Sequence, residues 1–394
     1  MEPLVSILIS LITAYALGEV CRAVKIPRVI GQICAGIVIG VPFIKDLVFT
    51  PTGIDLLKIL ADIGVILMFF FTGLEINFKS FVKNIPAASY ISIFNTTIPL
   101  VLGFAFSYWF GFSPAVSIII GVCLSVTATA FAMDMLEEFK MVKTSFGSLV
   151  ASAGTVDDVY ELLLITIVLG VISTTGSAGI AIKQLLLSLV GFAALVLFFR
   201  FLLIPFILKM VEREASITSF FTGGLIITLL MAALSKYLGF GAYLGAIASG
   251  LIVRQVILKD AGHRPWEAHK ISNSIHTISF GFLMPMFFFW IGLSTDVTAI
   301  FQHIWFGLGI TAIAIFGTVV GTAIGYRMLH GEKKQGWLLG WAMNAKGDTE
   351  LVLAQLARES GLISPAIFSS LIFMAIISTL VSPIVFRHLL SKSK

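Results

Sequence analysis

Thr155-Val156-Asp157-Asp158-Val159-Tyr160-Glu161 lies in the middle of an otherwise apolar run that extends from Ser145 to Ser173. A helix over that run rises ~1.5 Å per residue and so carries the two aspartates roughly 18–20 Å in, near the middle of a bilayer. Carboxylates are costly at that depth, and an ionisable residue inside a membrane span marks function by default.

The surrounding composition supports a membrane setting. Of 394 residues 58% are hydrophobic and 12% charged, with 35 glycines and a mean hydropathy of +1.03. A soluble chain has about twice that share of charge. The apolar runs are continuous rather than alternating, which excludes a β-barrel. Reading the runs between charge clusters predicts an all-α polytopic membrane protein of thirteen spans, near 4–21, 27–44, 54–75, 85–110, 114–136, 145–173, 182–208, 216–235, 241–258, 271–293, 299–327, 335–357 and 362–390. The fourth, sixth, eleventh and thirteenth are long enough to be tilted or broken.

The net charge of +5 is no nucleic-acid signal here. With the N-terminus outside, odd-numbered connections and the C-terminus hold nineteen Lys and Arg, against five for the outer connections and adjacent span ends. That asymmetry predicts N-terminus outside and C-terminus in the cytoplasm. Cys21, Cys34 and Cys123 have no paired spacing, so no disulfide framework or zinc site is expected. Met1-Glu2-Pro3 has no basic region or cleavage site, so the first run reads as a retained span.

The chain also repeats itself. FFFTGLEIN (Phe69 to Asn77) is echoed by FFFWIGLSTD (Phe287 to Asp296), and GQICAGIVIG (Gly31 to Gly40) by GAIASGLIV (Gly245 to Val253). Partners are seven spans apart, an odd number, so the two halves cross in opposite directions. This predicts one transmembrane domain over 1–394, made of inverted six-helix repeats at 1–180 and 216–394 with 181–215 as linker helix. Such repeats build secondary transporters.

Two further spans are polar at mid-depth. The fifth carries Ser125-Val126-Thr127-Ala128-Thr129, and the twelfth Asn344-Ala345-Lys346-Gly347-Asp348-Thr349-Glu350. They hold corresponding places in the two repeats. Stretches of this kind are where discontinuous helices present bare carbonyls and N–H groups to an ion. Adjacent carboxylates suit a hard monovalent cation exchanged for a proton. One site holds the cation when ionised and the proton when not, and that competition couples the fluxes. Asp157 can alternatively cap a helix break or pair with Lys346. Glu161, one turn on, fits a ligand or a structural role equally. Thr127 and Thr129 can be ligands or bond back to their own helix. Lys346, Asp348 and Glu350 read as an internal ion-pair network at broken helix ends. Asp62 reads as a bundle-interior partner, Arg200 as a snorkelling side chain, and His263 and His269 as members of a solvated loop.

These residues resemble the cation/proton antiporter superfamily, in its branch of NapA-type Na⁺/H⁺ antiporters and Kef-type K⁺/H⁺ systems. The motifs are KIPRVIGQICAGIVIG, LADIGVILMFFFTGLE, LSVTATAFAMDML, the Asp157-Asp158 pair, GAYLGAIASGLI and MPMFFFWIGL. The resemblance implies an NhaA/NapA-like fold with broken crossing helices, a homodimer in the plasma membrane, and no cofactor beyond transported Na⁺ or K⁺ and H⁺. It places the main ion carrier on Asp158 and its companion on Asp157. Spans 4–6 and 11–13 would form the ion-carrying core, and spans 1–3 and 8–10 the scaffold. Two positions depart from the pattern. Thr318 stands where many relatives have a buried lysine, and Asn344-Ala345-Lys346-Gly347-Asp348 stands in place of a Pro-Arg-Gly-Glu-like stretch. The run also stops a few residues past the last span, so the soluble nucleotide-binding regulatory domain of many Kef-type relatives is not expected.

The expected function is therefore a monovalent cation/proton antiporter, Na⁺ (Li⁺) first and K⁺ second, and not an enzyme. A channel would need a repeated filter motif. An intramembrane aspartyl protease would need aspartates converging from different helices. A pump would need a nucleotide-binding loop. None of these is present in the sequence.

Overall fold

A computed structural model describes residues 3–24, 26–75, 78–173, 190–206, 217–238, 241–259, 273–329, 331–347 and 349–391, and every statement below concerns these. They are helical, with no strand among them. The helices are α1 Pro3–Ala23, α2 Arg28–Ile39, α3 Pro42–Val48, α4 Pro51–Glu75, α5 Phe78–Trp109, α6 Pro114–Ser125, α7 Thr129–Glu138, α8 Ser145–Ser173 and α9 Val190–Phe206. They continue as α10 Ile217–Tyr237, α11 Gly241–Lys259, α12 Asn273–Leu293, α13 Val297–Gln302, α14 Ile304–Met328, α15 Lys333–Ala342, α16 Thr349–Glu359 and α17 Pro365–Ser391. Five stretches are long and apolar enough to cross a membrane by themselves: α1, Ala88–Trp109 of α5, α12, α14 and α17.

Four apolar runs are not continuous helices in the way a hydropathy reading draws them. The run 27–44 splits into α2 and α3, bent by 90°. Pro42 cannot continue a helix, and Val41 before it is extended at φ −57°, ψ 129°. The eleventh run starts as the short helix α13, which ends at His303 before α14 begins. Asp296 fixes the start of α13, its side chain accepting from the Ala299 N–H at 3.1 Å. The fifth and twelfth runs break where the hydroxyl- and glycine-containing stretches predict. By contrast the fourth, sixth and thirteenth runs stay helical throughout, the last even across Pro383. π-helical turns at Phe199–Leu203 and Ser279–Leu283 interrupt α9 and α12.

The chain forms two compact units. The first comprises Met1–Ala16, Gln32–Ile76 and Leu169–Leu293. Its core packs Phe70, Leu74, Phe199, Ile227, Met231, Ile252 and Ile275. Glycines let its helices meet backbone to backbone. A methyl group on Gly36 of α2 would sit 2.0 Å from the Phe289 carbonyl oxygen of α12, and one on Gly250 of α11 would sit 2.2 Å from that of Phe70 on α4. Without water between helices, such small-residue contacts are how membrane helices gain close packing.

The second unit comprises Leu17–Gly31, Asn77–Val168 and Ser294–Lys394. One part of its core packs Ile91, Leu136, Val150, Leu339, Ala342 and Phe386. Here α14 lies against α5 through Gly317, Gly321 and Gly325, four residues apart and hence on one face. A methyl group on Gly321 would fall 2.3 Å from the Phe94 carbonyl oxygen, a backbone atom that cannot step aside. Gly321→Ala is expected to cost about 1–3 kcal/mol of stability through overpacking. The check is the melting temperature of the purified protein in detergent, and an unchanged value contradicts this packing account.

Candidate functional site

The polar residues of the second unit collect where two interrupted helices meet. α6 ends at Ser125 and α7 starts at Thr129, while α15 ends at Ala342 and α16 starts at Thr349. Broken helices leave orphan N–H and C=O groups that must be satisfied inside the protein when no water is present. The two breaks satisfy one another. The Ala128 N–H donates to the Ala345 carbonyl at 3.0 Å. The Lys346 ammonium donates to the Val126 carbonyl at 2.5 Å, at the C-terminal end of α6, where a cation also opposes the helix dipole. The Thr127 N–H donates to the Glu161 carboxylate at 3.0 Å, so an anion sits at the start of α7.

α17 holds the second break from the other side. The Thr379 hydroxyl accepts from the Lys346 N–H at 3.0 Å and donates to the Lys346 carbonyl. Ser378 donates to the Asn344 carbonyl at 2.7 Å, and the Asn344 amide donates to the Ser382 hydroxyl at 3.0 Å. The Asn344 side-chain oxygen is buried without a hydrogen bond. Lys346 itself is fully buried, within electrostatic reach of Glu350, Glu161 and Asp157. A buried ammonium is tolerated only with compensation of this kind.

Asp157 is 1% exposed on α8 and is held by α5. Ser92 donates to one of its oxygens and Thr96 to the same oxygen at 3.4 Å, while the Asn95 amide donates to the other at 2.9 Å. Asn95 also donates to the Thr127 hydroxyl at 3.0 Å and accepts from Thr322 of α14 at 2.9 Å. One asparagine thereby ties α5, α8, α14 and the first break together. Asp158, its neighbour, is only partly buried. Of the two carboxylates, Asp157 is the more deeply buried.

The remaining residues singled out in the sequence divide as follows. Thr127 takes part in the network through both backbone and hydroxyl, rather than bonding back to its own helix. Thr129 opens α7 with its hydroxyl oxygen buried and without a hydrogen bond. Ser125 donates to the Val122 carbonyl at 2.8 Å, so its hydroxyl is spent on α6. Thr318 is fully buried on α14, its hydroxyl without a hydrogen bond, one turn before Thr322. Glu350 is buried in the first turn of α16. Asp348 lies outside the described residues, as do His263 and His269. Sequence reasoning passed over Ser92, Asn95, Thr96, Thr322, Ser378, Thr379 and Ser382. Ser92, Asn95 and Thr96 do carry a signal: uncharged polar residues at helical spacing within an apolar run.

Interrupted helices meeting beside buried carboxylates are how membrane carriers for ions are built. Residues 7–392 match the family described as "Sodium/hydrogen exchanger, transmembrane", and the chain belongs to that family. It is 25% identical over 389 residues to a Na(+)/H(+) antiporter of Enterococcus hirae, covering 98% of each chain. It is 29% identical to the Na(+)/H(+) antiporter NhaS4 of Synechocystis, covering 98% of this chain and 96% of that one. The solved structure of the sodium proton antiporter MjNhaP1 from Methanocaldococcus jannaschii at pH 8 matches with a TM-score of 0.69 over 95% of this chain and 93% of that one. Sequence identity there is 16%, so the likeness is one of fold.

Proposed function

We propose that the chain is a secondary antiporter that exchanges Na⁺ (or Li⁺) for H⁺ across the plasma membrane by alternating access. Asp158 carries cation and proton in turn. The observation that supports this reading is on α8, where Asp157 is enclosed by Ser92, Asn95 and Thr96 while Asp158, the next residue, is only partly buried. A cation approaching Asp158 finds further oxygen in Thr127 and Thr129. Ser125, Glu161, Asn344, Lys346, Glu350 and Thr318 support the breaks rather than bind the ion, and Asp348 belongs with them by sequence. Cation and proton compete for one carboxylate, so neither crosses empty-handed and no cofactor is needed.

The reading extends to a thirteen-span plan of two inverted repeats. The contact of Gly36 with Phe289 and Gly292, and that of Gly250 with Phe70 and Gly73, exchange under the repeat that pairs span 2 with 9 and span 3 with 10. A two-fold relation in the membrane plane gives such a pair of contacts. The N-terminus faces out, the C-terminus faces the cytoplasm, and two copies associate as a homodimer. A further relative, the Na(+)/H(+)-K(+) antiporter GerN of Bacillus cereus at 24% identity, favours K⁺/H⁺ exchange as the second reading.

Exchange is expected to be electroneutral, one proton per cation. Thr318 carries no charge, and Asp158 is the one carboxylate this reading assigns to alternate between cation and proton. The experiment is a pH-sensitive dye inside proteoliposomes, to which Na⁺, Li⁺ or K⁺ is added separately. Na⁺ or Li⁺ should move protons, and an imposed potential of either sign should leave the rate unchanged. Silence with every cation overturns the exchange reading. A strong dependence on the potential overturns the stoichiometry alone.

A further inference from the structure

Gly154 lies on α8 four residues before Asp158, so the two occupy one face of the helix about 6 Å apart along its axis. Gly154 is buried, and Thr129 of the first break fills the space that a side chain at 154 would take. A methyl group on Gly154 would fall 2.1 Å from the Thr129 Cγ2, 2.8 Å from its Oγ1 and 3.0 Å from its Cβ. The 2.1 Å separation is far inside van der Waals contact and the other two need shifts of only a few tenths of an ångström, so a side chain at 154 displaces Thr129 chiefly through its Cγ2. The Thr129 hydroxyl oxygen is itself buried and makes no hydrogen bond. A buried hydroxyl without a partner, seated one turn along α8 from a partly open carboxylate, is a free oxygen ligand.

We propose that Gly154 is a positioning residue that sets cation choice: its missing side chain seats the Thr129 hydroxyl beside Asp158, closing the site around a small, dehydrated monovalent cation. The proposal rests on the cation-exchange reading and deepens it. Gly154 touches no ion. It acts through Thr129, whose branched side chain has few rotamers at the start of a helix and cannot yield without turning its hydroxyl elsewhere. With Thr129 turned away the site loses one oxygen and widens. Na⁺ and Li⁺, which need close ligands, lose more than K⁺.

The experiment compares the wild type with Gly154→Ala, Thr129→Val, Thr129→Ser and the double variant Gly154→Ala/Thr129→Ser in proteoliposomes. The half-saturating concentrations of Na⁺, Li⁺ and K⁺ are read from internal pH change. Gly154→Ala and Thr129→Val should each raise the Na⁺ value about tenfold, the order of one lost bond to a charged partner, and shift the Na⁺-to-K⁺ preference toward K⁺. Thr129→Ser should keep the wild-type preference. The double variant, which lacks the Cγ2 atom nearest the new methyl, should recover most of it. A purely structural role for Gly154 would lower the amount of folded protein or the maximal rate without moving the preference, and that result overturns the proposal. So does failure of Thr129→Ser to rescue. If Gly154→Ala does not fold, equal preferences in Thr129→Val and Thr129→Ser overturn it, and a loss confined to valine supports it. Absence of cation-driven proton movement in the wild type would instead remove the exchange reading beneath it.

Discussion

Asp158→Asn is expected to reduce cation-driven proton movement to the level of empty liposomes while leaving the protein folded. Asparagine has nearly the same shape but neither binds a proton reversibly nor attracts a cation, so the competition that couples the fluxes disappears. The fold should survive because Asp158 is only partly buried, whereas the hydrogen bonds that hold α8 to α5 run through Asp157. Thermal unfolding and gel filtration of the variant check the second half of that statement, and the dye assay the first. Exchange near wild-type rate in a well-folded Asp158→Asn protein would remove Asp158 from the mechanism.

The second large effect is expected at Lys346. Its ammonium is fully buried, reaches across to the Val126 carbonyl, and sits within electrostatic reach of Glu350, Glu161 and Asp157. Lys346→Met removes the cation and leaves those carboxylates and the end of α6 uncompensated in a dry interior. Breaking one side of such an arrangement typically costs about 3–5 kcal/mol. The variant should therefore accumulate poorly or melt at a markedly lower temperature. Replacing Glu350 by glutamine in the same chain should recover part of the loss, because it removes one stranded negative charge. A Lys346→Met protein with wild-type melting temperature would show that the breaks are held by their backbone and hydroxyl bonds alone.

Local sequence carried the parts of this fold that depend on hydropathy and on polar interruptions. The run from Ser145 to Ser173, read as one span from hydropathy, is helical along its whole length. The breaks after Ser125 and Ala342 fall where hydroxyl, glycine and charged residues collect at mid-depth. The bend at Gly40-Val41-Pro42 was also written in the chain, but a window that averages hydropathy runs over it. What the sequence withheld was pairing at long range. Asn95 finds Thr322 across 227 positions, and Lys346 finds Val126 across 220. Neither the Thr322 hydroxyl nor the Val126 carbonyl is marked locally as a partner. Asp157 and Asp158 are neighbours of equal chemistry, and only the helical turn between them decides that one is buried among donors of α5 and the other is partly buried.

The most direct test of the central claim is whether sodium and a proton displace each other at Asp158. Purified protein in weakly buffered detergent solution is titrated with NaCl while released protons are counted, with choline chloride as control. Competition at one carboxylate predicts release approaching one proton per bound Na⁺, fading as the pH is raised until the site is already ionised, and abolished in Asp158→Asn. Sodium binding with no proton release, or release undiminished in Asp158→Asn, would contradict it.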